Sequence, residues 1–322
     1  MPGFATYNND HLIRSSIWSS QLKEALEFDL MGVKYVDMIE EFTDGTTINI
    51  PSIGQAEIDD YVEGNPVKYT AMDTGNFQFS ITDYKQSGTF ITNKMKQDTY
   101  YLDRLVSSFV PKQNRAIMAD IETKVMAIGP DGQTPSDLNN INGAPHRFLG
   151  QGGGSANLIS PNDFALAKYS LQKAAVPMTN LVAIVDPSVE YQLSTLTNLV
   201  NVSNNPHWEG IVRDGMSTGM KFLMNVYGFD VYVSNFLKSG YTETISGQST
   251  SNGVANLFFS ASSDILPFVG QIRQAPRVDS EYNKDMQREE YVTTARYGFK
   301  LFRPENLVTV ITEGGSIAPA YS

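Results

Sequence analysis

At 322 residues, with 41% hydrophobic and 18% charged residues, the chain is long enough for one large domain or two smaller ones with real cores. A net charge of -11 argues against a sequence-independent grip on nucleic acid, which needs clustered Lys and Arg, and against binding anionic membranes. No cysteine is present, which excludes disulfides and thiolate chemistry, and no apolar run approaches the roughly twenty residues of a membrane span.

Residues 1–20 are polar and mixed, as in an arm that orders only when something ties it down, and the start MPGFATYNNDHLIRSS has no apolar signal core. Residues 21–28 fit a short helix, and 33–42 read as extended. Asp44-Gly45 is a hairpin turn signal, and TTINIP (46–51) follows with strand-like alternation. Residues 67–72 are a candidate strand, NFQFSI (76–81) puts Phe77, Phe79 and Ile81 on one face, and SGTFITN (87–93) is a further strand. Gly54, Gly64-Asn65-Pro66 and Asp73-Thr74-Gly75 punctuate them. About fifty residues thus form extended hairpins with no helix to cover them. Such a ribbon is marginal alone in water; it is either part of an ordinary sheet or an arm that leans on a neighbouring subunit.

Residues 94–128 then carry a helical stripe. Leu102, Leu105, Val106 and Phe109 recur at three- and four-residue spacing, as do Ile117, Ile121, Val125 and Ile128. The helix would be about 50 Å long. Pro111 in its middle predicts a kink or break that realigns the two apolar sets, and Gly129-Pro130 predicts its end. The polar loop after Pro130 runs to GQGGGS (150–155). This tract lacks the Lys-Ser/Thr ending of a phosphate loop and reads as a flexible domain connection.

Ser160-Pro161 opens a helix over 162–174, with Ser160 as its cap. LVAIV (181–185) is a short buried strand, and Asp186-Pro187 starts a helix through 196. Residues 219–227 look helical, FDVYVS (229–234) alternates as a strand, 240–254 is a polar hairpin or surface loop, and ANLFFS (255–260) is a buried strand. Strands alternating with helices predict a compact α/β domain over 155–276. Residues 291–302 and 307–312 give two closing strands, expected to return to the long helix, whose apolar face needs a partner.

Motifs for chemistry fail one by one. Gly215-Met216-Ser217-Thr218-Gly219 fits a nucleophile elbow, but His11, His146 and His207 all precede Ser217, and no clear buried strand leads into it. Those histidines are too scattered for a spaced metal pair. The acidic pairs Glu40-Glu41, Asp59-Asp60 and Glu289-Glu290 read as solvated or partner-facing charges, and Asp131-Gly132 lacks the ligand pattern of a calcium loop. No catalytic, cofactor-binding or metal residue is assigned, and no cofactor.

The order of elements nevertheless resembles a known family. EEFTDGTTINIPSIG (40–54), LVAIVDPSVEYQL (181–193), GMKFLMNVYGFDVYVSNFL (219–237) and ARYGFKLFRPENLVTV (295–310), with its Tyr-Gly pair, are similar in sequence and order to segments of tailed-bacteriophage major capsid (coat) proteins. The resemblance implies an α+β, Hong Kong 97-like fold. Its parts would be an N-terminal arm (1–36), an extended loop (37–93), a peripheral domain with a long spine helix (94–154, resumed at 277–322) and an axial domain (155–276).

The implied function is a structural shell protein, not an enzyme, forming hexamers and pentamers of an icosahedral virion head assembled in the host cytoplasm. It would enclose double-stranded DNA without sequence-specific binding, its negative wall leaving the genome free to exit. Implied partners are further copies of the chain, a separate scaffolding protein, a portal protein and, outside, room for a decoration protein; no membrane is involved. Some members cross-link Lys to Asn between subunits; Lys68 and Lys85 of the extended loop are available, but no catalytic Glu is marked beside them and no cross-link is expected. The rival readings are an encapsulin-like compartment of the same fold, a serine hydrolase using Ser217, and a β-rich phage tail or adhesion protein.

Overall fold

The computed structural model describes residues 32–39, 47–53, 60, 63–64, 74–98, 102–195 and 222–314. The arm, the 21–28 helix and the 67–72 strand expected from sequence lie outside these residues. A 3-10 turn (Gly32–Tyr35) leads into β1 (Val36–Met38), followed by β2 (Thr47–Ile53), β3 (Thr74–Ser80), β4 (Asp83–Thr92) and α1 (Asn93–Asp98). The long helix α2 (Leu102–Gly132) precedes β5 (Arg147–Leu149), α3 (Pro161–Lys173), β6 (Leu181–Val185) and α4 (Pro187–Thr195). Then come β7 (Phe222–Val226), β8 (Phe229–Val233), β9 (Ser239–Ile245), β10 (Gln248–Ser260), β11 (Phe268–Asn283), β12 (Arg288–Leu301) and β13 (Val308–Glu313).

The described strands make three sheets. The largest runs β5-β13-β10-β6-β8-β7, with β9 hairpinned onto β10. Both of its faces are covered, which is why LVAIV is apolar at every position. Ala183, Val185 and Phe258 pack with Phe164 and Leu171 of α3 and Val189 of α4. Val182, Ile184, Leu257 and Phe259 face the other way, into a core shared with Ile117, Ile121, Val125 and Met126 of α2. Helix α3 begins as its sequence requires: the Asp163 carboxylate accepts from the backbone N–H (2.7 Å) and hydroxyl (2.9 Å) of Ser160.

The second sheet runs β1-β11-β12-β4, with β1 parallel to β11 and the rest antiparallel. Helix α2 lies on one face of it, through Ala295, Tyr297 and Leu301 of β12. The Tyr297 hydroxyl bonds the Asp120 carboxylate of that helix, and burial followed by this contact pushes the phenol pKa up. The third sheet is the ribbon β2-β3, in register from Thr47↔Ser80 to Ile53↔Thr74.

Several expectations are corrected. Helix α2 is unbroken at Pro111, so the break that proline allowed does not occur, and the helix continues past Gly129-Pro130 to Gly132. Gly129 is there for contact: a Cβ would lie 2.7 Å from Leu307 Cδ2. The Pro130 carbonyl is taken by Arg147 Nη1 at 2.9 Å, so the last turn is held by tertiary bonds. The segment read as a helix over 219–227 contains the strand β7, because Tyr227-Gly228, both at positive φ, turn it back onto β8. β2 pairs with β3, and β1 with β11, while the turn expected at Asp44-Gly45 lies outside the described residues.

The tract at Gly150–Gly154 is an ordered close approach, not a flexible connection. A Cβ at Gly150 or Gly152 would sit 2.6 or 2.8 Å from the Leu158 carbonyl oxygen, and Gly152 and Leu158 exchange backbone bonds. Of the two closing strands, β12 reaches the helix as expected, while β13 inserts between β5 and β10 of the large sheet. β11 escaped sequence reading because irregular pairing around Pro276, between Ile272 and Arg277, interrupts its alternation.

Candidate assembly interface

The ribbon is the element that sequence alone left without a home. Its root is anchored: Phe79 is fully buried with Ile81 and Val269, and Phe77 meets Phe302 edge-on at 4.9 Å. Lys300 Nζ donates to the Gln78 carbonyl at 2.8 Å and sits 4.8 Å from the Phe77 ring centroid. Along the ribbon Thr47, Asn49, Asn76 and Gln78 are exposed, and Ile50 is half-buried.

The neighbouring sheet ends in β4, an edge strand among the described residues. Its helix-facing side chains pair with α2: Lys85 lies 3.8 Å from Asp120, and Asp83 3.7 Å from Lys124. Its other face presents Tyr84 and Phe90, 59% and 55% exposed. Arg288 lies over the Phe90 ring at 4.6 Å, and the tip of the β11–β12 hairpin exposes Met286. Exposed aromatics beside a free strand edge and a projecting ribbon suit a surface covered by another chain.

The residues weighed for chemistry do not come together. Ser217, His11, His207, Lys68, Glu40, Glu41 and Asp59 lie outside the described residues. Glu289 and Glu290 point to opposite faces of β12: Lys96 and the Tyr291 hydroxyl hold Glu289 below the usual carboxylate range, and Arg288 at 2.6 Å does the same for Glu290. Asp131 binds Lys238 (2.7 Å) and the Tyr241 hydroxyl (3.0 Å) at the end of α2. Among the described residues no cluster of three metal-ligating side chains exists, and no helix is long and apolar enough to cross a membrane.

His146 is a structural group. It is fully buried, its Nδ1 lies 3.1 Å from the Ala144 carbonyl, and burial holds its pKa below the ordinary value despite the Ala144 and Glu305 carbonyls. The unfolded chain therefore takes up the proton first, so the stabilisation is complete above about pH 6.5 and is lost as pH falls from there. The thermal midpoint of the wild type should drop below pH 6.5 faster than that of His146→Gln. Parallel curves would show that His146 does not titrate in this range.

Sequence reasoning missed a buried ion pair. Arg147 and Glu243, with side chains 0% and 3% exposed, meet in a fork from β5 and β9, with Arg147 Nε donating to Glu243 Oε2 at 3.0 Å. The only hint in the sequence is a basic residue in an otherwise apolar strand, RFL.

The sequence model of the phage capsid protein family matches residues 76–310. No curated protein matches. Among solved structures, a chain from Mycobacterium phage Che8 aligns with TM-score 0.68 at 16% identity, covering 94% of this chain and 98% of that one. The capsid structure of cyanophage P-SCSP1u aligns with TM-score 0.68 at 15% identity, covering 96% and 94%. The capsid of Ralstonia phage GP4 aligns with TM-score 0.63 at 13% identity, covering 99% and 100%. The α+β fold is thus the Hong Kong 97-like fold of phage capsids, and a family match across most of the chain makes the exposed ribbon and edge strand those of a shell subunit, structural and not enzymatic: the chain belongs to the phage capsid protein family.

Proposed function

We propose that the chain forms the hexamers and pentamers of an icosahedral phage head around double-stranded DNA, assembling in the host cytoplasm with a separate scaffolding protein and a portal. The observation that carries this reading is the ribbon, anchored by Phe77, Gln78 and Phe79, with Thr47, Asn49 and Asn76 exposed. A two-stranded ribbon gains its stability from a third surface, and the neighbouring subunit supplies it. In this reading residues 1–36 are the arm, 37–93 the extended loop, and the remainder the peripheral and axial parts. The pairing of β11 with β1 and β12 favours starting the peripheral return at Phe268 and leaving β13 with the axial sheet. A decoration protein would take the outer surface.

Electron microscopy of the purified protein, with and without a co-expressed scaffolding protein, tests the reading. Closed polyhedral particles or capsomer rings are expected. A stable monomer under both conditions would sink it.

A further inference from the structure

The segment after the Tyr-Gly pair serves two partners at once. β12 alternates, so Tyr297, Phe299 and Leu301 face the long helix and its core, while Gly298 and Lys300 face the opposite way, as does Phe302 just beyond the strand, which packs with Phe77 and Phe79. Each residue of the second set touches the root of the ribbon. Phe302 meets Phe77, and Lys300 holds the Gln78 carbonyl and the Phe77 ring. Gly298 lies under the chain where β3 leaves the ribbon: a Cβ there would be 2.9 Å from both Ile81 Cα and the Ser80 carbonyl oxygen. These are backbone atoms, so no side-chain rotation relieves the contact. β3 therefore lies lengthwise and antiparallel along this face, touched at three successive positions.

We propose that Gly298, Lys300 and Phe302 form a socket that sets the angle at which the ribbon leaves the body, and through it the curvature of the shell. This rests on the shell-forming reading above. The lever is simple. Adding a methyl at Gly298 must move Ile81 and Ser80 by about 0.5–1 Å to reach ordinary van der Waals distance. Lys300 grips about 7 Å further along the strand, so that shift tilts the ribbon by roughly 4–9°. Seven strand residues span about 23 Å, and the far described end then swings by about 2–4 Å. That end meets the neighbouring copy, so subunits would meet at a changed angle and the shell could not close at its normal size. Tyr297 and Gly298 are positioning residues: one fixes β12 to the helix, the other leaves room for the ribbon.

The chain has no cysteine, so a pair introduced at Asn49 on the ribbon and Thr123 on the helix can carry spin labels for pulsed distance measurement. In unassembled protein, Gly298→Ala should shift the mean label distance by a few ångström, and Lys300→Met should broaden the distribution, each with a near-normal thermal midpoint. Electron microscopy should show both variants losing most closed particles of normal diameter in favour of open, tubular or differently sized ones. Should Gly298→Ala fail to fold, Lys300→Met carries the test, since it keeps the aliphatic stem and removes only the ammonium. Wild-type distances and particles in the folded variants overturn the proposal, as does an altered distance with particles of unchanged size. If the wild type itself forms no particles, the shell-forming reading fails, whereas the distance measurement reports on the socket independently.

Discussion

Arg147→Met is expected to cost the unassembled protein roughly 3–5 kcal/mol, lowering its thermal midpoint by on the order of 10 °C. The substitution keeps most of the volume but strands the Glu243 carboxylate, 3% exposed, away from water and from its counter-ion. It also removes the donor to the Pro130 carbonyl (2.9 Å) and to Gln133 Oε1 (3.3 Å), which together fasten the last turn of α2 to the large sheet. The Ser136 N–H at 3.2 Å remains on Glu243 and offsets little of the loss. Desolvating two charges is itself costly, so the pair need not outperform an apolar replacement. Arg147→Met combined with Glu243→Leu should therefore recover most of the lost stability. Chemical denaturation of the three variants and the wild type measures the cycle. A single variant within about 1 kcal/mol of wild type would show that the pair is dispensable.

Excising residues 52–75 and joining Pro51 to Asn76 through an Asn-Gly turn should abolish closed particles while leaving the body folded. Pro51 and Asn76 are register partners, so a two-residue turn closes the shortened ribbon without shifting its pairing. Neither of the two large cores takes a described side chain from the ribbon, and the anchoring residues Phe77, Phe79 and Ile81 are retained. The thermal midpoint of the unassembled subunit should thus stay within a few degrees of wild type. What is lost is the proposed contact with the neighbour, in a shell whose obligate interfaces are expected to bury roughly 2,000–5,000 Å2 each. Normal particles from the shortened chain would remove the ribbon from the assembly mechanism.

Much of this architecture is legible residue by residue, where the determining forces are local. The stripe Ile117, Ile121, Val125 marks the buried face of α2, and all three are buried. Ser160-Pro161 and Asp186-Pro187 mark helix starts, and α3 and α4 begin at those prolines. LVAIV has no polar position because both faces of its sheet are covered. The proposed assembly surface was readable only as an absence: residues 40–93 offered strands and turns with nothing to cover them. The ion pair was not readable, since Arg147 and Glu243 stand 96 residues apart in separate strands.

By itself, the sequence determined the main helices, many of the strands and, through their order, the capsid family, because capping, turn chemistry and apolar period act within a few residues. Only the tertiary structure decided which strands share a sheet, because a pairing edge is satisfied by whichever strand the packed core brings beside it. That is why β13 joined the large sheet, β1 ran parallel to β11, and 222–226 became a strand where the pattern alone suggested a helix. It also carried the long helix past Gly129-Pro130, since Leu307 and Arg147, distant in the chain, supply the contacts that local propensity lacks.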